Sequence, residues 1–251
     1  MQDFIFRCLR YAERKIQRLQ GKGYGGRHSI AAEIRATGRF LPARDAIVFD
    51  IGANTGAWSR ALLAKAGERV KAIYAFEPSA HNHPAIEEIG DNRVRLVPLA
   101  AGEAAGRQTL HYDRAGSGLA SLHARRLDHF GIDFSGRETV DVTTIDNFVA
   151  ENGLETIDFA KFDIEGHELA ALRGAARTLE QGRIKALAFE FGGCNIDSRT
   201  YFQDFWYVLG GLGYQIYVIN PLFGTTRLKA YDERHEVFLT TNFIAALDEP
   251  R

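Results

Sequence analysis

The chain of 251 residues carries a formal net charge of -1 and has a hydrophobic content of 45%. These values fit one large globular domain with a small extension and a core of ordinary size. The lack of a basic excess argues against a dedicated nucleic-acid-binding protein, and no apolar run is long enough to span a membrane. The two cysteines, Cys8 and Cys194, form no disulfide or metal-binding pattern, so we expect a reducing, cytoplasmic location.

Residues 2–20 are predicted to form an amphipathic helix with a strongly basic polar face, whose charges also interrupt any apolar signal core. Its apolar face comprises Ile5, Cys8, Leu9, Ala12, Ile16 and Leu19. Three interpretations remain open: the helix packs on its own domain, pairs with another subunit, or lies on an anionic membrane surface.

Four glycines within residues 21–26 predict a flexible hinge after this helix. Residues 29–38 are predicted to form a short second helix. We therefore divide the chain into an extension with its hinge, residues 1–40, and a main domain, residues 41–251.

The stretch Asp50-Ile51-Gly52-Ala53-Asn54-Thr55-Gly56 follows a short apolar strand and precedes a helix that we expect to end near residue 67. Asn54 or Thr55 is suited to cap this helix. Ligands of α/β sheets bind at such turns, where glycines allow close approach and the helix N-terminus favours an anionic group. The turn therefore predicts a ligand site.

Glu77, which is followed by Pro78, ends the next predicted strand, residues 71–76. A carboxylate at this position accepts hydrogen bonds from both hydroxyls of a ribose. The two features together predict a nucleoside ligand with an anionic group. A purely structural turn remains the alternative, since Asn54 interrupts the GxGxxG pattern.

The next predicted strand, residues 93–99, ends in small residues. Ala100 and Ala101 leave room for a flat ring such as adenine, although small residues are also common in ordinary bends. After a further strand, residues 107–112, comes a long connection, residues 114–138, rich in arginine and histidine. Such a connection is typical of a lid over an anionic or sugar-like acceptor, or of a solvated surface excursion.

Residues 139–143 and 157–162 are predicted strands, with a short helix, residues 144–152, between them. The second strand leads into a cluster of potential acids and bases: Asp163, Glu165, His167 and Glu168. Some of these residues suit the positive N-terminal end of the helix that follows, which we expect to reach about residue 179. A metal ion at this cluster is an alternative, but no second set of hard ligands is obvious, so we predict no metal site.

The predicted strand at residues 184–189 ends at Glu190, and a small loop, residues 192–195, follows it. A helix at residues 201–209 and strands at residues 214–219 and 236–241 complete the chain. The segment that connects these last two strands lacks the apolar spacing of a helix. We therefore expect the two strands to form a hairpin, with the last strand antiparallel to the rest.

Three motifs in order resemble the FkbM family of S-adenosylmethionine-dependent methyltransferases. They are Asp50–Gly56, Ala75–Pro78 and Lys161–Glu168, and the resemblance runs from about residue 45 to about residue 242. It implies a class I methyltransferase (Rossmann-like) fold, an α/β architecture with a seven-stranded, mostly parallel sheet and an antiparallel last strand. The main domain would then be the catalytic domain, and the helical extension lies outside the match.

The resemblance also implies S-adenosylmethionine as the cofactor. Its methionine part is expected at the glycine turn, its ribose at Glu77 and its adenine near Ala100 and Ala101, while Asp163 faces the methionine end or the acceptor. The cofactor-binding residues are accordingly expected to be Asp50, Gly52, Ala53, Asn54, Thr55, Gly56, Glu77, Pro78, Ala100, Ala101 and Asp163. Family members typically methylate hydroxyl groups of sugars or natural products.

A neutral hydroxyl needs a base to take its proton as the new bond forms. Asp163, Glu165 and His167 are the candidates, with Glu190 as a further one. Two other functions remain open. An NAD-dependent oxidoreductase shares the turn and the acidic residue, although Asn54 and the antiparallel last strand disfavour it. A non-catalytic, methyltransferase-like binding protein is the third interpretation.

Overall fold

The computed structural model describes residues 1–26 and 30–249. Its strands, in chain order, are β1 (Ala46–Ile51), β2 (Val70–Phe76), β3 (Val94–Val97), β4 (Ala100–Ala101), β5 (Gly106–Tyr112), β6 (Gly136–Thr143), β7 (Ile157–Phe162), β8 (Ile184–Phe191), β9 (Gln215–Asn220), β10 (Gly224–Arg227) and β11 (Thr241–Ala246). Its helices are α1 (Gln2–Leu19), α2 (Ile30–Thr37), α3 (Ala57–Ala66), α4 (His83–Glu87), α5 (Ile145–Glu151), α6 (Glu168–Arg173), α7 (Ala176–Glu180), α8 (Cys194–Ser198) and α9 (Phe202–Gly211). Residue 29, with which the predicted second helix begins, lies outside the described residues.

The large sheet has the order β3–β2–β1–β7–β8–β11–β9–β10. The five neighbouring strands β3, β2, β1, β7 and β8 are parallel to one another. Strand β11 is antiparallel to both of its neighbours, β8 and β9. This is the class I methyltransferase fold, and the predicted antiparallel last strand is confirmed.

Two details of the predicted sheet are wrong. The described part of the chain places eight strands in it, because β10 adds a hairpin edge to β9. The last strand is Thr241–Ala246 and not residues 236–241. Glu236 instead accepts hydrogen bonds at the start of α9, from the backbone N–H groups of Phe202 and Gln203.

The core lies on both faces of the large sheet. On one face Phe49 contacts Phe76 and Phe148, with ring centroids 5.3 and 5.6 Å away. On the other face Trp58 of α3 stacks on Phe159 of β7 at 6.3 Å. Burial on both faces explains why these strands read as continuous apolar runs.

The strands predicted at residues 107–112 and 139–143 pair with each other, and not with the large sheet. They form β5 and β6 of a second sheet, in the order β4–β6–β5, which the sequence did not predict. The chain between β5 and β6 passes over the carboxyl ends of the large sheet, where Ser121 Oγ donates to the carbonyl of Glu165 at 2.8 Å. The small sheet therefore anchors both ends of this connection beside the carboxyl ends of the large sheet.

The helix predicted to reach residue 179 is interrupted. It forms α6 and α7, with Gly174 between them. A Cβ atom on Gly174 would lie 2.0 Å from the backbone oxygen of Gly102, so this glycine lets two backbones pass closely. The helix is interrupted because Gly174 packs against the backbone of Gly102. The spacing of apolar residues along the sequence does not reveal this contact.

The predicted first helix is present, but no residue of α1, all of which the structure describes, is buried. The interpretation that α1 packs its apolar face on its own domain therefore fails. The glycine-rich segment at residues 21–26 is hydrogen-bonded to the main domain, since the Gly25 N–H donates to Thr240 O at 2.9 Å. No helix within residues 1–26 and 30–249 has the length and apolar character needed to cross a membrane.

Candidate active site

The glycine turn connects β1 to α3 and requires its first glycine. Gly52 has a φ of 87°, and a Cβ atom there would lie 1.9 Å from the backbone oxygen of Asp163. Because glycine has no side chain, the carboxyl ends of β1 and β7 can approach each other at Gly52. The turn therefore brings two of the three predicted motifs into contact.

Neither Asn54 nor Thr55 caps α3, so that prediction is wrong. Gly56 occupies the N-cap position without a side-chain hydrogen bond. The Asn54 side-chain amide donates instead to the carbonyl groups of Gly116 and Ser117, at 3.3 and 3.2 Å. Asn54 thus links the turn to the loop above it, at a left-handed backbone position that asparagine tolerates.

Glu77 is held by backbone groups at the end of β2. Its two carboxylate oxygens accept hydrogen bonds from the N–H groups of Asn54, at 2.8 Å, and Ser79, at 2.9 Å. The residue is 6% exposed, and burial raises the pKa of its carboxyl group against the effect of these donors. The carboxylate is therefore fixed in place before any ligand binds.

A first cavity, which we call the nucleoside cavity, lies beside Glu77 and is largely apolar. It is lined by Ile51, Gly52, Asn54, Phe76, Glu77, Pro78, Leu99, Ala100, Ala101, Leu110, Ser117, Gly118, Ala120, Leu122, Asp163, Ile164, Glu165 and His167. A largely apolar cavity in which the Glu77 carboxylate is held by backbone donors suits a nucleoside, whose base is flat and whose ribose carries two hydroxyl groups.

A second cavity, which we call the acceptor cavity, lies on the other side of the glycine turn and is more strongly charged. Its charged lining residues are Glu33, Arg125, Lys161, Asp163, Glu165 and Glu190. The two cavities share Gly52, Asn54, Gly118, Asp163 and Glu165. A chemical group located between the two cavities is therefore close to the carboxylates of both Asp163 and Glu165.

Lys161 of β7 lies between two carboxylates, that of Asp50 in β1 and that of Asp163 just after β7. Its Nζ lies 2.8 Å from Asp163 Oδ2 and 3.9 Å from Asp50 Oδ1. Burial acts to lower its pKa, but the Asp163 and Asp50 charges outweigh this and raise it, so Lys161 is a permanent cation. Asp50 is fully buried and accepts from Ser59 Oγ at 2.6 Å, while its Oδ1 has no hydrogen-bond partner among the described residues.

Glu165 and Glu190 form a carboxylate pair in the acceptor cavity. One oxygen of each lies within 4.8 Å of the other and of Cys194 Sγ. Arg125 Nη1 bonds Glu165 at 2.5 Å. Burial raises the pKa of Glu165 to about 7 against the effect of Arg125, and burial with the Asp163 charge raises that of Glu190. Two carboxyl groups this close influence each other's ionisation.

His167 faces the nucleoside cavity and not solvent. Its Nδ1 lies 3.1 Å from His123 Nε2, and its own Nε2 is buried without a partner in the described part of the chain. Burial lowers the pKa of His167 to about 4, and His123 adds to this effect. A proton on His167 is therefore lost well below neutral pH, which makes it a weak base.

Glu168 stabilises the backbone that carries the carboxylates. Its two side-chain oxygens accept hydrogen bonds from the N–H groups of Ile164 and Gly166, each at 2.9 Å, and the residue is fully buried. Burial raises the pKa of Glu168 to about 8, although these donors act to lower it. Glu168 therefore holds the segment before α6 in place.

We expect Glu168→Ala to lower the free energy of unfolding by about 2–4 kcal/mol, because two buried N–H groups lose their acceptors. Urea denaturation measures this loss. Glu180→Ala, which removes an exposed carboxylate from α7, is the matched control and is expected to change stability by less than about 0.5 kcal/mol. Equal losses in the two variants would contradict the role assigned to Glu168.

Twelve of the fourteen predicted site residues, all within the described part of the chain, line one or both cavities. The other two, Asp50 and Gly56, line neither: Asp50 lies beneath the turn and Gly56 begins α3. Sequence reasoning missed Lys161 as a site residue. A lysine in an otherwise apolar strand was the available signal, since lysine is almost never buried unless it is paired.

The model of the methyltransferase FkbM domain family matches residues 50–216, two thirds of the chain. The chain belongs to this family. It is therefore a methyltransferase domain, and the match decides against the oxidoreductase interpretation.

One curated relative is the 2-O-methyltransferase NoeI of Sinorhizobium fredii, which is 28% identical over 157 residues. The match covers 57% of this chain and 63% of NoeI, so the chain spans less than two thirds of that relative. Among solved structures, a methyltransferase FkbM from Methylobacillus flagellatus KT has 21% identity and a TM-score of 0.49, covering 81% of this chain and 44% of that one. The M. capricolum TrmK complex with S-adenosyl-homocysteine has 12% identity and a TM-score of 0.42, covering 87% and 69%.

S-adenosylmethionine is the cofactor of this methyltransferase domain, and the residues of the nucleoside cavity fit it. Glu77 is fixed by two backbone donors at the position that suits a ribose diol, and the walls at Ala100, Ala101 and Leu122 suit an adenine ring. Next to the turn, Lys161 supplies a positive charge and Asp163 a negative charge. The amino-acid part of the cofactor, which carries one charge of each sign, is expected there.

Proposed function

We propose that this protein transfers the methyl group of S-adenosylmethionine to a hydroxyl group of a sugar, glycan or natural-product acceptor. The observation that carries this proposal is the junction of the two cavities at Asp163 and Glu165. An apolar cavity suited to a nucleoside meets a charged cavity suited to a polar acceptor at these two carboxylates. Methyl transfer requires such a shared point between donor and acceptor sites.

The bound cofactor supplies an activated methyl group, so the protein need not provide a strong electrophile. Gly52, Asn54 and Glu77 hold the donor, while the acceptor cavity holds the hydroxyl in line with it and limits access of water. Proximity and orientation of this kind account for a large share of the rate enhancement in such reactions.

Glu165 is the proposed general base, as one member of the Glu165–Glu190 pair. It lines both cavities, whereas Glu190 lines only the acceptor cavity. A pKa near 7 lets Glu165 take a proton from the hydroxyl at neutral pH and release it afterwards. Asp163 is engaged by Lys161, and the low pKa of His167 disfavours that residue.

The acceptor class is supported by the chemistry of the cavity and by one relative. Carboxylates and an arginine are suited to hydrogen bonding several hydroxyl groups of a sugar-like molecule. The name of NoeI describes that protein as a 2-O-methyltransferase. Incubation with radiolabelled S-adenosylmethionine and a panel of sugars, oligosaccharides and glycosides is expected to label a hydroxyl. Cofactor binding without transfer to any hydroxyl would overturn the acceptor class.

Thermal unfolding with excess ligand tests the donor. S-adenosylmethionine and S-adenosylhomocysteine, at about 100 times their dissociation constants, are expected to stabilise the fold by about 2.7 kcal/mol, and NAD to have no effect. A shift with NAD alone would overturn the proposal. If none of the three binds, the non-catalytic interpretation takes its place.

Glu77→Gln is expected to weaken cofactor binding by about 10- to 100-fold, because it removes the charge that accepts hydrogen bonds from the ribose. Isothermal titration with S-adenosylhomocysteine measures this change. Glu87→Gln, an exposed substitution in the neighbouring α4, is the matched control with unchanged affinity. Unchanged affinity in Glu77→Gln would contradict the assignment.

We also propose a cytoplasmic location. Both cysteines are free: Cys8 is exposed and Cys194 is buried beside the acceptor cavity. An exposed free thiol supports a reducing compartment.

A further inference from the structure

The surface of α1 exposes an unusual number of large apolar side chains. The exposed residues of this kind in the first nineteen positions are Met1, Phe4, Ile5, Phe6, Leu9, Tyr11, Ile16 and Leu19, and eight others are spread over the remaining described residues. Phe4 is 69% exposed and Leu9 is 60% exposed. Of these residues, Ile5, Leu9, Ile16 and Leu19 share one face of the helix, and an exposed apolar face of this kind indicates a contact with another molecule or with a membrane.

The polar side of α1 is basic. At 100° per residue, Arg7, Arg10, Arg14 and Arg18 fall together, opposite the apolar face that contains Ile5, Leu9 and Ile16. Residues 1–22 contain six lysines and arginines and two acidic residues, a net charge of +4, while the remaining residues carry -5. Positive charge is therefore concentrated on this one segment of a nearly neutral chain.

The apolar surface continues onto the turn between β9 and β10. Ile16 and Leu19 line a groove together with Leu222 and Phe223, and the latter two are 58% and 72% exposed. The exposed side chains of Arg227 and Lys229 flank the groove. The same combination of apolar and basic residues thus recurs next to α1, on a separate element.

We propose that α1 and the β9–β10 turn form a docking surface for an anionic membrane. Helices with an apolar face and an arginine-rich polar face lie in the membrane interface, with the apolar face inserted and the charges at the headgroups. A second copy of the chain is a poorer occupant, because the net charge of +4 on residues 1–22 of each copy would repel the same segment of the other. The proposal does not depend on methyl transfer.

Vesicle sedimentation tests the proposal with the full chain. The protein is expected to sediment with vesicles of phosphatidylcholine and phosphatidylglycerol, and much less with phosphatidylcholine alone. Each arginine near an anionic surface contributes about 1 kcal/mol, so the triple variant Arg7→Gln, Arg10→Gln, Arg14→Gln is expected to bind about 100-fold more weakly. Leu9→Ser combined with Phe223→Ser is expected to reduce binding to both kinds of vesicle.

Matched controls come from exposed residues elsewhere. Arg44→Gln, Lys71→Gln and Arg107→Gln together remove the same charge, and Tyr207→Ser removes an exposed aromatic residue from α9. Both controls are expected to bind like the unsubstituted protein, and far-ultraviolet circular dichroism verifies that every variant is folded.

Three outcomes would overturn the proposal. The protein does not sediment with anionic vesicles, or the charge control loses as much binding as the α1 variant. The third is a stable dimer in light scattering that Leu9→Ser dissociates and that does not bind vesicles, which would assign the surface to a second copy.

Discussion

Glu165→Gln is expected to lower kcat by about 10²- to 10⁴-fold, because the reacting hydroxyl loses the group that takes its proton. Glu190→Gln is expected to have a smaller effect of the same sign, since Glu190 lines the acceptor cavity without reaching the nucleoside cavity. Steady-state kinetics with the acceptor identified by methyl labelling measure both changes.

The pH profile distinguishes a base from a merely structural carboxylate. Only the ionised form accepts a proton, so kcat/KM of the unsubstituted enzyme is expected to rise as pH increases to about 7 and to level off above it. Glu165→Gln is expected to abolish this rise while leaving the affinity for S-adenosylhomocysteine unchanged.

Glu103→Gln, in an exposed ion pair with Arg173, is the matched control for the loss of an ion-paired carboxylate. It is expected to retain full activity. Turnover within threefold of the unsubstituted enzyme in both Glu165→Gln and Glu190→Gln would remove this pair from the mechanism.

Gly52→Ala is expected to destabilise the fold by about 2–5 kcal/mol and to abolish cofactor binding. A residue with a side chain costs about 1–2 kcal/mol in the left-handed region, and overpacking costs about 1–3 kcal/mol more. The added methyl group would meet the backbone oxygen of Asp163, which cannot move without separating β1 from β7. Urea denaturation and titration with S-adenosylhomocysteine measure the two effects.

Gly153→Ala separates the backbone cost from the steric one. Gly153 also has a positive φ, 59°, but a Cβ atom there would have no neighbour within 4 Å among the described residues. It is expected to lose only about 1–2 kcal/mol and to bind the cofactor normally. A similar loss in both variants would show that the close approach of β1 and β7 has no energetic importance.

Most of the large sheet was predictable because its strands are buried on both faces and read as apolar runs. The predicted strand at residues 157–162 matches β7, and residues 71–76 fall within β2. The last strand was misplaced because its alanines, Ala245 and Ala246, have little strand propensity. Their burial against β8 and β9 is what selects the strand.

The candidate site was predictable where a motif follows a strand. The carboxyl ends of parallel strands meet at one edge of the sheet, so the glycine turn, Glu77 and Asp163 converge there as expected. Their hydrogen bonds were less predictable. Asn54 binds the loop at Gly116 and Ser117 in place of capping α3, because that loop crosses the turn only in the folded chain.

The sequence by itself determined the class of fold, the family and the positions of the glycine turn and the candidate carboxylates, because these follow from local motifs and from the order of strands. Only the tertiary structure determines which charged side chains of the acceptor cavity lie close together and how burial shifts the pKa values of its carboxyl groups. The Arg125–Glu165 contact spans forty residues, and the proximity of Glu165 to Glu190 depends on the parallel neighbours β7 and β8. Burial and charge at such distances in the chain arise only once the strands are packed, and they set the pKa values on which the proposed chemistry depends.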